Sequence, residues 1–175
     1  MTNVGMMDCK KALTEADGDF DKAIELLREK GLAKAAKKAD RIAAEGVVCA
    51  TVCDDCGVGA IIEVNSETDF VAKNADFQQF VADLAGVVMK ENPADVEALK
   101  TCKMGDLTVQ EVLQEKVLTI GENIQIRRFV RFDDSTVNVA YTHMGGVIGV
   151  LVGLQVSDNL KGNATVKELG KDIGM

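Results

Sequence analysis

Three groups of side chains in this sequence are placed to do chemistry. The first is Cys49, Cys53 and Cys56, a C-x-x-C pair with a third thiol four residues earlier. A zinc site wants four ligands, and no second C-x-x-C and no histidine lies near this one in sequence. A redox C-x-x-C opens a helix, whose end lowers the thiol pKa; this pair falls in a predicted hairpin. With Cys9 and Cys102 the count is five, odd and without an export signal, which favours reduced thiols. The second is His143, the single histidine, which reads as a plain strand-end residue or as a contact residue. The third is the run 65–74, Asn-Ser-Glu-Thr-Asp-Phe-Val-Ala-Lys-Asn, a loop position of the kind that carries function. Thr68 or Asp69 can cap a helix there. Phe70 then reads in one of two ways: as a staple into the chain's own core, or as an apolar wedge protruding beside the Asp69 charge. A wedge of that kind suits prying apart a partner's packed helices and disturbing a cation site.

The residues of covalent catalysis do not assemble. No Ser or Cys stands in a nucleophile-elbow motif, and no G-x-x-x-x-G-K-[ST] phosphate loop occurs, so the chain is not itself a P-loop GTPase. Gly145, Gly146 and Gly149 fall between predicted strands, where a turn accounts for them. The carboxylates lie mostly on predicted helix faces and turns. The reading is a binding protein, not an enzyme, with no cofactor and no metal. Met6 and Met7 are adjacent, so both cannot face one small core; an exposed Met suits an adaptable binding surface.

The elements that must position these residues follow from periodicity. Met6, Cys9, Leu13 and Ala16 have helical spacing, as do Phe20, Ala23, Ile24 and Leu27 after the Asp17-Gly18-Asp19 turn. Gly31 is the expected C-cap. An Ala- and Lys-rich helical linker is expected over 32–44. Val47–Val52 and Val58–Val64 read as a hairpin around Asp54–Gly57. A helix follows Thr68-Asp69-Phe70, with Phe77, Phe80, Val81, Leu84 and Val88 on one face, and Asn92-Pro93 ends it. A short helical piece holds Val96 and Leu99. Thr108-Val109-Gln110-Glu111 is a capping box opening another helix. Three strands come next, over 124–132, 137–142 and 147–152, the last nearly all apolar and so expected to be central in its sheet. A weakly helical stretch reaches Met175. Strands and helices in separate blocks predict an α+β fold with an antiparallel sheet.

The chain has 175 residues, 47% hydrophobic and 27% charged, enough to bury a core without metal or disulfide staples. The net charge of −8 argues against direct nucleic-acid binding, which rests on neutralising phosphates. Arg28, Lys30, Lys34, Lys37, Lys38 and Arg41 form a local basic cluster, read either as a solvated helix face or as a contact with an acidic partner surface. No run of 18 apolar residues is present, and residues 1–4 lack the layout of a signal peptide. The expected location is cytoplasmic, away from membranes.

Two motifs carry a resemblance. Residues 5–13, Gly-Met-Met-Asp-Cys-Lys-Lys-Ala-Leu, and 68–74, Thr-Asp-Phe-Val-Ala-Lys-Asn, look like two signatures of the bacterial elongation factor Ts family. Ile120-Gly121-Glu122-Asn123-Ile124, Tyr141-Thr142-His143 and Ile148–Val152 are similar to further family segments, in the right order. The resemblance implies a partial ubiquitin-associated-like module over 1–31, a helical linker over 32–46, an α+β core subdomain over 47–156 and the start of a following segment over 157–175. It implies guanine-nucleotide exchange on elongation factor Tu, with Phe70 inserted between helices of the G domain. Thr68, Asp69, Phe70 and Val71 would dislodge the partner's magnesium. Met6, Met7, Lys10, Ile120 and His143 would also meet that partner. Family members begin with a further helix and continue into a second core subdomain, so the chain is expected to be truncated at both ends. The alternatives are a ubiquitin-associated-type interaction module without exchange activity, and a thiol or metal protein built on Cys49, Cys53 and Cys56.

Overall fold

The computed structural model describes residues 5–175, except for the side chains of Lys34 and Ala35. The reading of residues 1–4 and of a helix before them lies outside the described residues. Two helices, α1 (Met6–Glu15) and α2 (Phe20–Lys38), open the chain. The turn between them puts Asp17 and Gly18 at φ 50° and 83°. Asp19 then caps α2, its carboxylate accepting from the N–H groups of Asp21 and Lys22. Ala12, Ala16, Ala23 and Leu27 make a small core of their own.

The helix does not stop at Gly31. It runs on to Lys38 as one element, and residues 39–44 are not helical. A glycine inside a helix costs only about 1 kcal/mol, and here α2 packs against a later helix, with Leu118 at ordinary contact distance, 3.6 Å, from where a Cβ on Gly31 would stand. Packing overrides the local stop signal.

Strands β1 (Glu45–Cys53) and β2 (Val58–Ser66) form the expected hairpin, closing with Cys53 opposite Val58. A single turn, α3 (Asp69–Ala72), precedes the long α4 (Ala75–Glu91). The sequence reads as one continuous entry into α4. The break arises because Asn74 caps α4 anew, accepting from Asp76 and Phe77 N–H at 2.8 and 3.2 Å. Helix α4 ends on Asn92 in the left-handed region, before Pro93. Next come α5 (Val96–Thr101), the two-residue strands β3 (Lys103–Met104) and β4 (Leu107–Thr108), and α6 (Val109–Ile120). The capping box at Thr108 and Glu111 forms as read. Gly121, at φ 85°, caps the far end of α6. Strand β5 (Gln125–Phe132) then pairs antiparallel with β2, giving the order β1-β2-β5.

The main core lies between this sheet and α4, α5 and α6. Phe77, Phe80, Val81, Leu84, Leu99 and Val109 are all sealed there, packed with Ile62 and Val64 of β2. The fold is α+β.

Strands β6 (Val137–His143) and β7 (Ile148–Leu154) form a separate two-stranded sheet, so β7 is not central. Its apolar residues are partly covered on both faces, with Ile148 at its start still 48% exposed. Gly149 meets Val48 and Ile61 on one side. On the other, Val152 and Leu154 lie under the last helix, α7 (Ala164–Gly174), at Gly174 and Gly170. Among the described residues no helix is long and apolar enough to cross a membrane.

Candidate functional site

The loop between β2 and α3 is built from its backbone outward. Ser66 is fully buried and its hydroxyl donates to the carbonyl of Thr68 at 3.1 Å. Thr68 is the N-cap of α3, its Oγ1 accepting from the Val71 N–H at 3.5 Å. That cap turns the chain so that Ala72 faces the core and Phe70 faces out. Phe70 is 82% exposed, so the staple reading fails and the protruding geometry holds. Asp69, one residue before it, carries an i,i+4 pair with Lys73 at 2.6 Å. The hydrogen bond from Lys73, and then its charge, hold the Asp69 carboxyl below the usual range, while the same pair pushes Lys73 up. Asp69 is therefore negative at neutral pH, beside an exposed ring.

Phe70 lines an open groove between α3, the start of α4 and α6, together with Thr68, Val71, Val112, Ile120 and Glu122. Ile120, half-buried at the end of α6, thus shares a surface with Thr68, Phe70 and Val71 although 49 to 52 residues separate them in sequence. Met6 and Met7 are 86% and 66% exposed, and Lys10 is exposed on the same helix. His143 is exposed at the end of β6, its Nδ1 3.2 Å from the Tyr141 hydroxyl. Among the described residues no hydrogen bond or ion pair links Met6, Met7, Lys10 or His143 to the loop.

Glu122, to which the sequence assigns no role, also lines the groove. The Glu122 carboxylate accepts from the N–H groups of Glu67 and Thr68 at 3.0 and 3.1 Å and from the Thr68 hydroxyl at 2.6 Å. Glu67 in turn accepts from the Asn123 N–H at 2.6 Å and lies 3.5 Å from Arg41. In the sequence Glu67 falls within the run 65–74 and Glu122 within the family-like segment 120–124, but nothing there pairs the two.

Several basic residues of the 28–41 cluster are engaged within the chain. Arg28 lies 3.9 Å from Glu111, Lys30 bonds Glu15 at 2.6 Å, and Lys38 reaches the carbonyl of Gly121. The Lys34 side chain lies outside the described residues. Cys53 and Cys56 are joined as a disulfide across the β1–β2 turn, where reduced thiols were expected. The four-residue turn brings their Cα atoms to 5.5 Å, within the usual span of such a bond. Cys49 is a free thiol that burial pushes up. Among the described residues no group of three or more His, Cys, Asp or Glu is placed to hold a metal ion.

Comparison with known proteins adds a family. The family model described as Elongation factor TS matches residues 67–175. The chain is 51% identical over 176 residues to Elongation factor Ts of Clostridioides difficile (strain 630). It is 53% identical over 178 residues to that of Syntrophotalea carbinolica, and 47% over 174 residues to that of Alkalilimnicola ehrlichii. Each alignment covers 99% of this chain and 57% of the relative. The chain therefore spans a little over half the length of these relatives.

Proposed function

The chain belongs to the elongation factor Ts family, and from that premise we propose that it promotes GDP release from elongation factor Tu, as a binding protein that makes and breaks no covalent bond. The observation that carries the reading is Phe70, an aromatic ring held 82% exposed next to an ionised Asp69. A folded chain gains nothing by leaving a phenylalanine in water, whereas a partner can bury it as an anchor. In this reading Phe70 enters between helices of the partner's G domain. Asp69, with Thr68 and Val71 beside it, disturbs the partner's magnesium and so weakens the hold on the GDP phosphates. Ile120 extends the same contact. Met6, Met7, Lys10 and His143 supply further contacts on α1 and at the end of β6, without direct contact with nucleic acid or membrane. The work belongs to translation elongation in the cytoplasm.

Exchange requires that the chain prefer the empty partner. A ligand shifts an equilibrium only by its differential affinity, and linkage then weakens GDP by the same factor. Titrating the purified chain into nucleotide-free and GDP-bound elongation factor Tu by calorimetry tests this. Tighter binding to the nucleotide-free form is expected; equal affinity for both forms removes the exchange reading.

A further inference from the structure

Helix α3 is only four residues long, too short to hold its own shape in water. Its orientation, and with it the direction in which Phe70 points, must be set at its ends. Phe70 lines the groove together with Val71, Val112 and Ile120, among polar and charged residues such as Glu115 and Lys116; the ring stays 82% exposed although the hydrophobic effect favours burying it against those apolar neighbours. Something keeps it upright.

The groups at the N-terminal end of α3 are arranged to do so. Three donors of the 67–68 segment converge on the two oxygens of Glu122, a residue 54 positions later in the chain. A reciprocal bond runs the other way, from the Asn123 N–H to the Glu67 carboxylate. Asn123 is itself buried, and its amide donates to the carbonyl of Arg41 at 2.8 Å. Gly121, in the left-handed conformation that caps α6, turns the chain so that Glu122 faces the loop. Two turns are thus interlocked by carboxylates exchanged between them. Bonds to a charged acceptor are the stronger kind.

We propose that Glu122 is a positioning residue: by clasping the Glu67 and Thr68 backbone N–H groups and the Thr68 hydroxyl, it holds α3 so that Phe70 stays exposed and is not buried against the apolar residues of the groove it lines. In the exchange reaction it acts through Phe70 and touches neither magnesium nor nucleotide. That second clause rests on the exchange reading; the first does not.

The chain contains no tryptophan, so Phe70→Trp gives a single reporter at the ring's position. In the free chain that indole should emit as a solvent-exposed group and be quenched freely by acrylamide. Adding Glu122→Ala should shift the emission to the blue and lower the quenching constant at least twofold. Adding Glu122→Gln instead should restore most of the parental behaviour, because the amide oxygen still accepts from the two N–H groups. Unchanged emission and quenching in a Glu122→Ala chain that melts cooperatively overturns the clasp. If Glu122→Ala does not fold, Glu122→Asp takes its place: it keeps the charge but shortens the reach, and the same two readouts decide. With elongation factor Tu and Phe70 in place, Glu122→Ala should lower the GDP-release rate at saturating chain at least fivefold, and by less than twofold further in a Phe70→Ala background. Fully multiplicative effects refute action through Phe70. A parental chain that releases no GDP refutes the exchange reading, while the fluorescence result still decides the clasp.

Discussion

Phe70→Ala and Phe77→Ala, seven residues apart, should behave as opposites in the free chain. Phe77 is fully buried against the sheet, whereas Phe70 is 82% exposed. Truncating a buried phenylalanine removes its transfer free energy and leaves a cavity, at about 3–5 kcal/mol. For Phe70 only the covered fifth of the ring is at stake. At about 25 cal/mol per Å², on a side chain that buries roughly 200 Å² when fully enclosed, that is about 1 kcal/mol at most. In a domain of this size 1 kcal/mol moves Tm by about 2–4 °C. Phe70→Ala should therefore melt within about 4 °C of the parent, and Phe77→Ala roughly 6–20 °C below it. Differential scanning calorimetry or far-UV circular dichroism at one scan rate reads both. A Phe70→Ala chain that loses as much as Phe77→Ala would mean that the ring is packed in solution, and the protruding loop would have to be abandoned.

Gly170→Ala should lift α7 from the β6–β7 sheet, because the new Cβ would stand 2.5 Å from Cγ2 of Val139; a cost of about 1–3 kcal/mol is expected from such overpacking, and a Tm equal to the parent's contradicts the tight contact. Lys73→Ala should raise the Asp69 pKa toward its ordinary value, as followed by carboxyl-resolved NMR, since Lys73 is the chief cause of its depression. Because Asp69 is depressed when folded, its contribution to stability is present above the unfolded pKa and is lost as pH falls through the lower folded one. The pH-dependence of unfolding between about pH 5 and pH 2 should flatten in Lys73→Ala, and an identical profile in both chains rules the pair out. Cys49, pushed up by burial, should react with iodoacetamide at pH 8 more slowly than a free thiol does, as read by mass spectrometry of the labelled peptides.

Local signals were legible where local chemistry decides the outcome. The Thr108 and Glu111 capping box, the Asp19 cap, the Asn92-Pro93 stop and the Asp54–Gly57 turn each rest on residues within five positions of one another, and each forms as read. Features set by distant partners were not legible. Gly31 carries a stop signal, yet α2 continues because α6 lies alongside it. The apolar run of β7 matched a central strand, but β7 lies in a two-stranded sheet, partly covered by β1 and β2 on one face and by α7 on the other. At the site, residue types left Phe70 open between staple and wedge, and the resemblance alone favoured the wedge. The structure supplies the reason for its exposure: the Thr68 cap turns Ala72 inward and Phe70 outward. The Glu122 clasp joins segments 54 to 56 residues apart, and no periodicity announces a bond of that range.

In the proposed function Phe70 and Asp69 act on a bound nucleotide through the partner's G domain. The most direct test loads elongation factor Tu with a fluorescent GDP analogue, adds excess unlabelled GDP and follows release with no chain, parental chain, Phe70→Ala and Asp69→Ala. The parental chain should accelerate release. Phe70→Ala should bind the nucleotide-free partner more weakly by about 2 kcal/mol, or roughly 30-fold, as expected for an aromatic anchor. Asp69→Ala should slow release at saturation while melting like the parent. Parental acceleration retained in full by both variants, at every chain concentration, would contradict the account.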